Sequence, residues 1–155
     1  MIKLKNLAIA ALSLAAILSH PAEAKKKPVA VFQEPSAMQG LIIFFRNGSM
    51  VGSALACDVR ENGNLVGNLG NSMVFGVAFD AGVHAFNPKG DAANTVSIDV
   101  TTGNTYYVNC AFSGGRITLT RSDQEHFEEK YFKLTVKTPD ELAKEVAKDA
   151  ARKKK

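Results

Sequence analysis

From Gly40 onward a turn signal cuts the chain roughly every 8–12 residues, and the intervals leave no room for crossover helices. The cuts are Asn47-Gly48, Asn62-Gly63, Asp80-Ala81-Gly82, Asn87-Pro88-Lys89-Gly90, Thr102-Gly103-Asn104 and Gly114-Gly115. Between them run short apolar segments with strand periodicity. Val96, Ile98 and Val100 alternate with Ser97 and Asp99. Tyr106, Val108, Cys110 and Phe112 share one face, as do Met73, Phe75, Val77 and Phe79. Such a chain is read as all-β, a single antiparallel β-sandwich built from hairpins.

Asn62-Gly63 is the sharpest of these signals. Both central positions of a tight hairpin turn need positive φ, which Asn and Gly adopt at least cost. The strand before it carries Leu55, Cys57 and Val59 on one side, and Asn64–Leu69 returns. Leu41-Ile42-Ile43-Phe44-Phe45 is different, being apolar without interruption, and suits a strand buried on both faces. Phe132, Leu134 and Val136 alternate with Lys133, Thr135 and Lys137 and predict a last strand.

One helix is announced. Thr138-Pro139-Asp140-Glu141 combines an N-cap Thr, Pro at the first helical position and Glu at the third, which is a capping box. Acids lead, and Arg152-Lys153-Lys154-Lys155 close, in the order the helix dipole favours. Its apolar stripe (Leu142 and Val146 with alanines) is thin, so a weakly docked helix is expected.

The N-terminus reads as an export signal. Lys3 and Lys5 precede an apolar run from Leu7 to Leu18, and Ala22-Glu23-Ala24 supplies the small-x-small pattern of a cleavage site. The run is shorter than the ~20 residues that span a bilayer. An uncleaved anchor is the alternative, because Lys25-Lys26-Lys27 opposes translocation. The expected organisation is a cleavable signal over residues 1–24, a leader over 25–39 with one edge strand at Val29–Phe32, the sandwich over 40–137 and a basic helical tail over 138–155. The location expected is the periplasm or outer envelope, or secretion.

The succession of Gly40 with its apolar strand, Asn62-Gly63, Leu65-Val66-Gly67-Asn68-Leu69, Gly82-Val83-His84 and Gly103-Asn104-Thr105-Tyr106-Tyr107-Val108 resembles a family of unknown function. That family occurs in bacterial envelope proteins, often lipoproteins, and is similar to PEGA-type sandwich domains. The likeness covers residues 40–119 and rests on turn glycines and core positions. It implies an immunoglobulin-like or PEGA-like sandwich and says nothing of an activity. The chain departs from it in having no lipobox cysteine, and Ala81 where a proline is common.

Chemistry-bearing residues are sparse. Cys57 and Cys110 each fall on the apolar face of a strand, and an exported protein meets an oxidising compartment. The two can bridge across the core, worth roughly 4 kcal/mol in the chain-entropy picture, or stay as separate buried thiols. Their spacing is unlike the Cys-x-x-Cys of a redox pair. His84 beside its turn suits a packing or turn-bonding role. His126, in Asp123-Gln124-Glu125-His126-Phe127-Glu128-Glu129, has no recognised ligand spacing, and the segment reads as a solvated acidic loop. Ser49 and Ser53 flank Gly52 without forming a nucleophile elbow, and Asp58, Glu61 and Asp99 form no motif. No enzyme activity, metal or cofactor is expected.

The formal net charge of +4 gathers mainly at the ends of the exported part and not on one aromatic-laced face, so nucleic acid is not an expected partner. The expected partner is an envelope protein or a surface polymer. Lys25, Lys26, Lys27, Lys153, Lys154 and Lys155 are candidates for contact with an anionic membrane surface. A membrane-surface accessory protein and an envelope hydrolase stand as alternatives.

Overall fold

A computed structural model of the chain describes residues 32–154. The expected export signal, Lys25–Lys27, all of the predicted edge strand except Phe32, and Lys155 lie outside the described residues.

Among the described residues nine strands form two sheets. β1 (Gln39–Arg46), β4 (Met73–Asp80), β7 (Thr105–Ser113), β8 (Arg116–Ser122) and β9 (Thr135–Val136) make one, in the order β8-β7-β1-β4-β9. β2 (Cys57–Glu61), β3 (Asn64–Leu69), β5 (Gly82–Pro88) and β6 (Val96–Val100) make the other, in the order β3-β2-β5-β6. The sheets face each other across one core, a sandwich-like arrangement. Ile42, Phe44, Phe75, Val108 and Leu119 project from the first sheet and Val59, Leu69, Phe86 and Ile98 from the second. The stack of Phe44 on Phe75 and its edge contact with Phe86 join the layers at ring separations of 5.2 and 5.1 Å.

The all-β reading and most turn positions hold. Asn62 and Gly63 both have positive φ, 48° and 76°. The continuous run of β1 is buried on both faces for a visible reason. Ile42 and Phe44 enter the main core, while Ile43 and Phe45 enter a second cluster on the outer face with Val74, Phe127 and Leu134.

Four expectations need correction. First, the sheets are not purely antiparallel, since β1 pairs parallel with β7 and β4 with β9. The chain leaves the first sheet after β4, passes through β5 and β6 of the second, and re-enters the first as β7, on the other side of β1 and running the same way as β1. Second, Asp123–Glu129 is no loop but most of α1 (Gln124–Tyr131), capped by Asp123 Oδ1, which accepts the His126 N–H at 2.8 Å. A single buried side chain, Phe127, suffices to dock it, because the outer face of β1 needs cover and Phe127 meets Phe45 and Tyr107 there. Third, the last strand is two residues long, and Phe132, expected on its core face, is the C-cap of α1 with 63% exposure. Fourth, Leu55 precedes β2 and is 44% exposed, so only Cys57 and Val59 of that trio point inward.

The final helix, α2 (Pro139–Lys153), has the capping box expected of it. It is not weakly held. It runs along β3 at the open side of the two sheets, with Leu142 buried against Phe75 at Gly67, where a Cβ would come within 2.8 Å of Leu142. The opposite side is closed by Asn94, whose Nδ2 donates to Ile117 O and whose Oδ1 accepts from Leu119 N–H, both at 3.3 Å.

Candidate functional site

Cys57 at the head of β2 and Cys110 on β7 form a disulfide, with S–S 2.11 Å and Cα–Cα 6.7 Å. Each sulfur reaches inward by the alternation read from the sequence, and the bridge ties the two sheets together. Both residues are essentially inaccessible, 0% and 1% exposed, which suits a structural bond.

The remaining chemistry-bearing residues are dispersed. His84 Nε2 lies 2.9 Å from Asp80 O across the turn and Nδ1 lies 2.7 Å from Glu61 Oε1, with the rings of Phe79 and Phe86 beside it. Both nitrogens face acceptors, so the imidazole acts as a turn clamp. His126 sits far from it, over Phe45, with Nε2 3.4 Å from Asn47 Nδ2. Asp58 accepts from Arg60 and Asn68. Among the described residues no group of three or more His, Cys, Asp and Glu is placed to hold a metal ion. Ser49 and Ser53 line a shallow depression on the β1–β2 loop with no imidazole.

A polar cleft of about 400 Å³ opens beside Asp99, Tyr106, Tyr107, Arg121 and Asp123. Its groups already serve the fold. The phenol pKa of Tyr106 is lowered by its bond with the Thr101 hydroxyl and then by the Thr101 N–H, which Oη accepts at 2.9 Å, and Arg121 donates to Ser97 O. Tyr107 is held neutral to higher pH than usual, by burial first and by the Glu128 carboxylate second.

A groove of about 420 Å³ between α2 and β4 has a different character. Val66, Val77, Leu142, Ala143, Val146 and Ala147 line it, and Gly76 forms part of its floor. β9 covers β4 only at Met73 and Val74. The Lys137 N–H donates to Val74 O at 2.8 Å, which fixes the parity of that edge. By the period of two, the backbone groups of Gly76 and Ala78 turn to the same side, where no described residue bonds them. The groove is therefore an apolar slot beside a stretch of strand edge that no described residue bonds, with Gln33 on its rim and Phe32 packed against Gly76. The sequence pointed to its residues only as a thin helix stripe and an ordinary strand.

No family model, no curated protein and no solved structure matches this chain. The slot and its neighbours therefore have to be read from their own chemistry.

The third feature was not legible in the sequence at all. Three cations are buried: Arg46, Arg60 and Lys137. Arg60 and Lys137 have carboxylate partners on α2, namely Asp149 and Glu145. Arg46 has carbonyls only, donating from Nη1 to Leu55 O and from Nη2 to Gly52 O at 2.6 Å. Burial lowers its pKa below the ordinary arginine value. A charged group 2% exposed with no carboxylate partner among the described residues costs free energy, and here its donors tie down two carbonyls of the β1–β2 loop.

Of the tail cations, Lys153 and Lys154 are described. Lys153 Nζ donates to Gly63 O at 2.6 Å and lies 3.6 Å from Asp149, while Lys154 caps α2.

Proposed function

We propose that the protein is an exported, non-enzymatic binding module of the cell envelope, an immunoglobulin-like or PEGA-like sandwich that takes up an extended segment of a partner protein in the α2–β4 slot. The observation that carries this reading is the β4 edge at Gly76 and Ala78, which no described residue bonds, set beside an apolar wall from α2. Main-chain bonds to such an edge supply affinity, and pockets for alternate side chains supply selectivity. A surface polymer is the other expected partner, but it lacks the peptide groups that match this edge. The buried Cys57–Cys110 bond supports an oxidising compartment, in line with the signal-like N-terminus.

The test places a photoreactive residue at Val146, which is 37% exposed on the slot wall, and cross-links in the native envelope. A reproducible partner is expected, and a synthetic peptide of its cross-linked segment should slow amide exchange at Gly76 and Ala78. Cross-links to bulk envelope proteins alone, unchanged by Val77→Asp, would remove the reading.

A further inference from the structure

The two ends of the sandwich differ in chemistry. At the end formed by the β1–β2, β3–β4 and β7–β8 turns, Met50 is 95% exposed and Val51 68%, with Leu55 beside them at 44%. This loop is built to hold that display. Arg46 grips its Gly52 and Leu55 carbonyls, and the Ser49 N–H donates to Asn71 Oδ1 at 3.0 Å. Gly52, at φ +73°, lies so close to Phe112 that a Cβ would come within 2.7 Å of the ring. A connection with no other duty could fold Met50 and Val51 back over the sheets, and a buried uncompensated cation would then be unnecessary.

Cations surround the display. Arg116 closes the β7–β8 hairpin next to Phe112, and Lys133 follows α1. Lys130 and Lys133 share a depression with Asn47 and Gly48, which adjoins the one lined by Gly48 and Met50. Arg116 and Lys133 are exposed and have no carboxylate partner among the described residues. The acids at this end are engaged: Glu129 lies 3.3 Å from Lys130, and Asp91 accepts the Asn94 N–H at 3.2 Å. The far end carries Glu61, Asp80, Asp99 and Asp123 at or beside its turns, together with the basic end of α2, where Lys153 meets Gly63 O.

We infer that the β1–β2 loop end seats the protein on an anionic lipid surface, with Met50 and Val51 entering the interfacial zone and Arg116 and Lys133 meeting headgroup phosphates. Apolar protrusions flanked by basic residues match such a surface in both of its properties. The α2–β4 slot lies along the side of the sandwich and stays open in this pose, so the two proposals stand or fall separately.

The chain contains no tryptophan, so Met50→Trp in the full chain reports on the loop alone, whatever the N-terminal segment does. Vesicles of phosphatidylcholine with phosphatidylglycerol should shift its emission to shorter wavelength, and brominated acyl chains should quench it. Replacing Arg116 and Lys133 together by Ser should weaken the apparent affinity about tenfold or more. Val83→Trp, 75% exposed at the far end, should neither shift nor be quenched. An unchanged spectrum at position 50, or equal quenching at 50 and 83, overturns the assignment. A shift produced by lipid-free envelope proteins and not by vesicles also overturns it, gives the loop to a protein partner, and leaves the slot untouched.

Discussion

The guanidinium of Arg60 on β2 meets the carboxylate of Asp149 on α2 in a two-pronged pair, Nη1 to Oδ2 at 3.0 Å and Nη2 to Oδ1 at 2.8 Å. The two residues lie 89 positions apart, and the pair fixes the far half of α2 against the first hairpin. Arg60 also donates to Gly63 O, the carbonyl that Lys153 reaches from the helix end. Lys137 does the same work at the start of the helix, bonding Asn68 O and Glu145 Oε1, each at 2.6 Å.

The Arg60 hydrogen bonds hold the Asp149 carboxyl below its ordinary pKa, and the Thr138 backbone and side chain do the same for Glu141. A lowered folded-state pKa gives stability that is present above the unfolded value and is lost as pH falls through the folded one. Asp149→Asn should therefore destabilise the protein at neutral pH, and its difference from the parent should narrow in acid below the usual carboxylate range. Urea unfolding at several pH values checks this. A difference independent of pH would mean that the pair contributes by shape and not by charge.

Removing the disulfide with Cys57→Ala and Cys110→Ala should cost roughly 2–5 kcal/mol, because the closed segment is long, with a separation of 53. The parent in strong reductant should lose a similar amount. Equal unfolding midpoints for parent and double variant would show that the thiols do not bridge.

Leu142 is the single fully packed apolar side chain of α2, at 6% exposure, and Leu142→Ala should cost roughly 2–5 kcal/mol. Gly67→Ala should act on the same contact from the other side, since the new methyl would meet Phe75 Cζ at 2.6 Å as well as Leu142. Both variants should speed amide exchange in 139–153 more than in the β1–β4 pair. Uniform acceleration across the sheets would contradict a local role.

Arg46→Met keeps much of the side-chain volume and removes the donors to Gly52 and Leu55. Charge-assisted bonds to carbonyls contribute about 1.5–3 kcal/mol each, so a loss of more than about 2 kcal/mol is expected. The distinguishing readout is proteolysis in 48–55, which should quicken several-fold at temperatures where the rest of the sandwich stays folded. A loop as resistant as the parent's would show that Gly52 and Asn71 hold it without the cation.

How much of this was legible beforehand follows from the range of each interaction. Alternation, the Asn62-Gly63 turn, the capping box at Thr138 and the inward cysteines are local signals, readable within a few residues, and the sequence by itself determined a β protein with a C-terminal helix from them. The uninterrupted Leu41–Phe45 run even implied cover on both faces of β1, although not that Phe127 provides it. Pairings between distant side chains lie beyond any such window. Whether β7 returns beside β1 in parallel, whether Asp149 finds Arg60, whether Arg46 turns back on Leu55 and how far β9 covers the β4 edge were decided only when the chain was packed. The thin stripe of α2 suggested a helix half loose in solvent, because periodicity counts apolar side chains and cannot see a buried cation waiting on another strand. The slot and the loop display arise the same way, from surfaces that exist only once both sheets and α2 are in place.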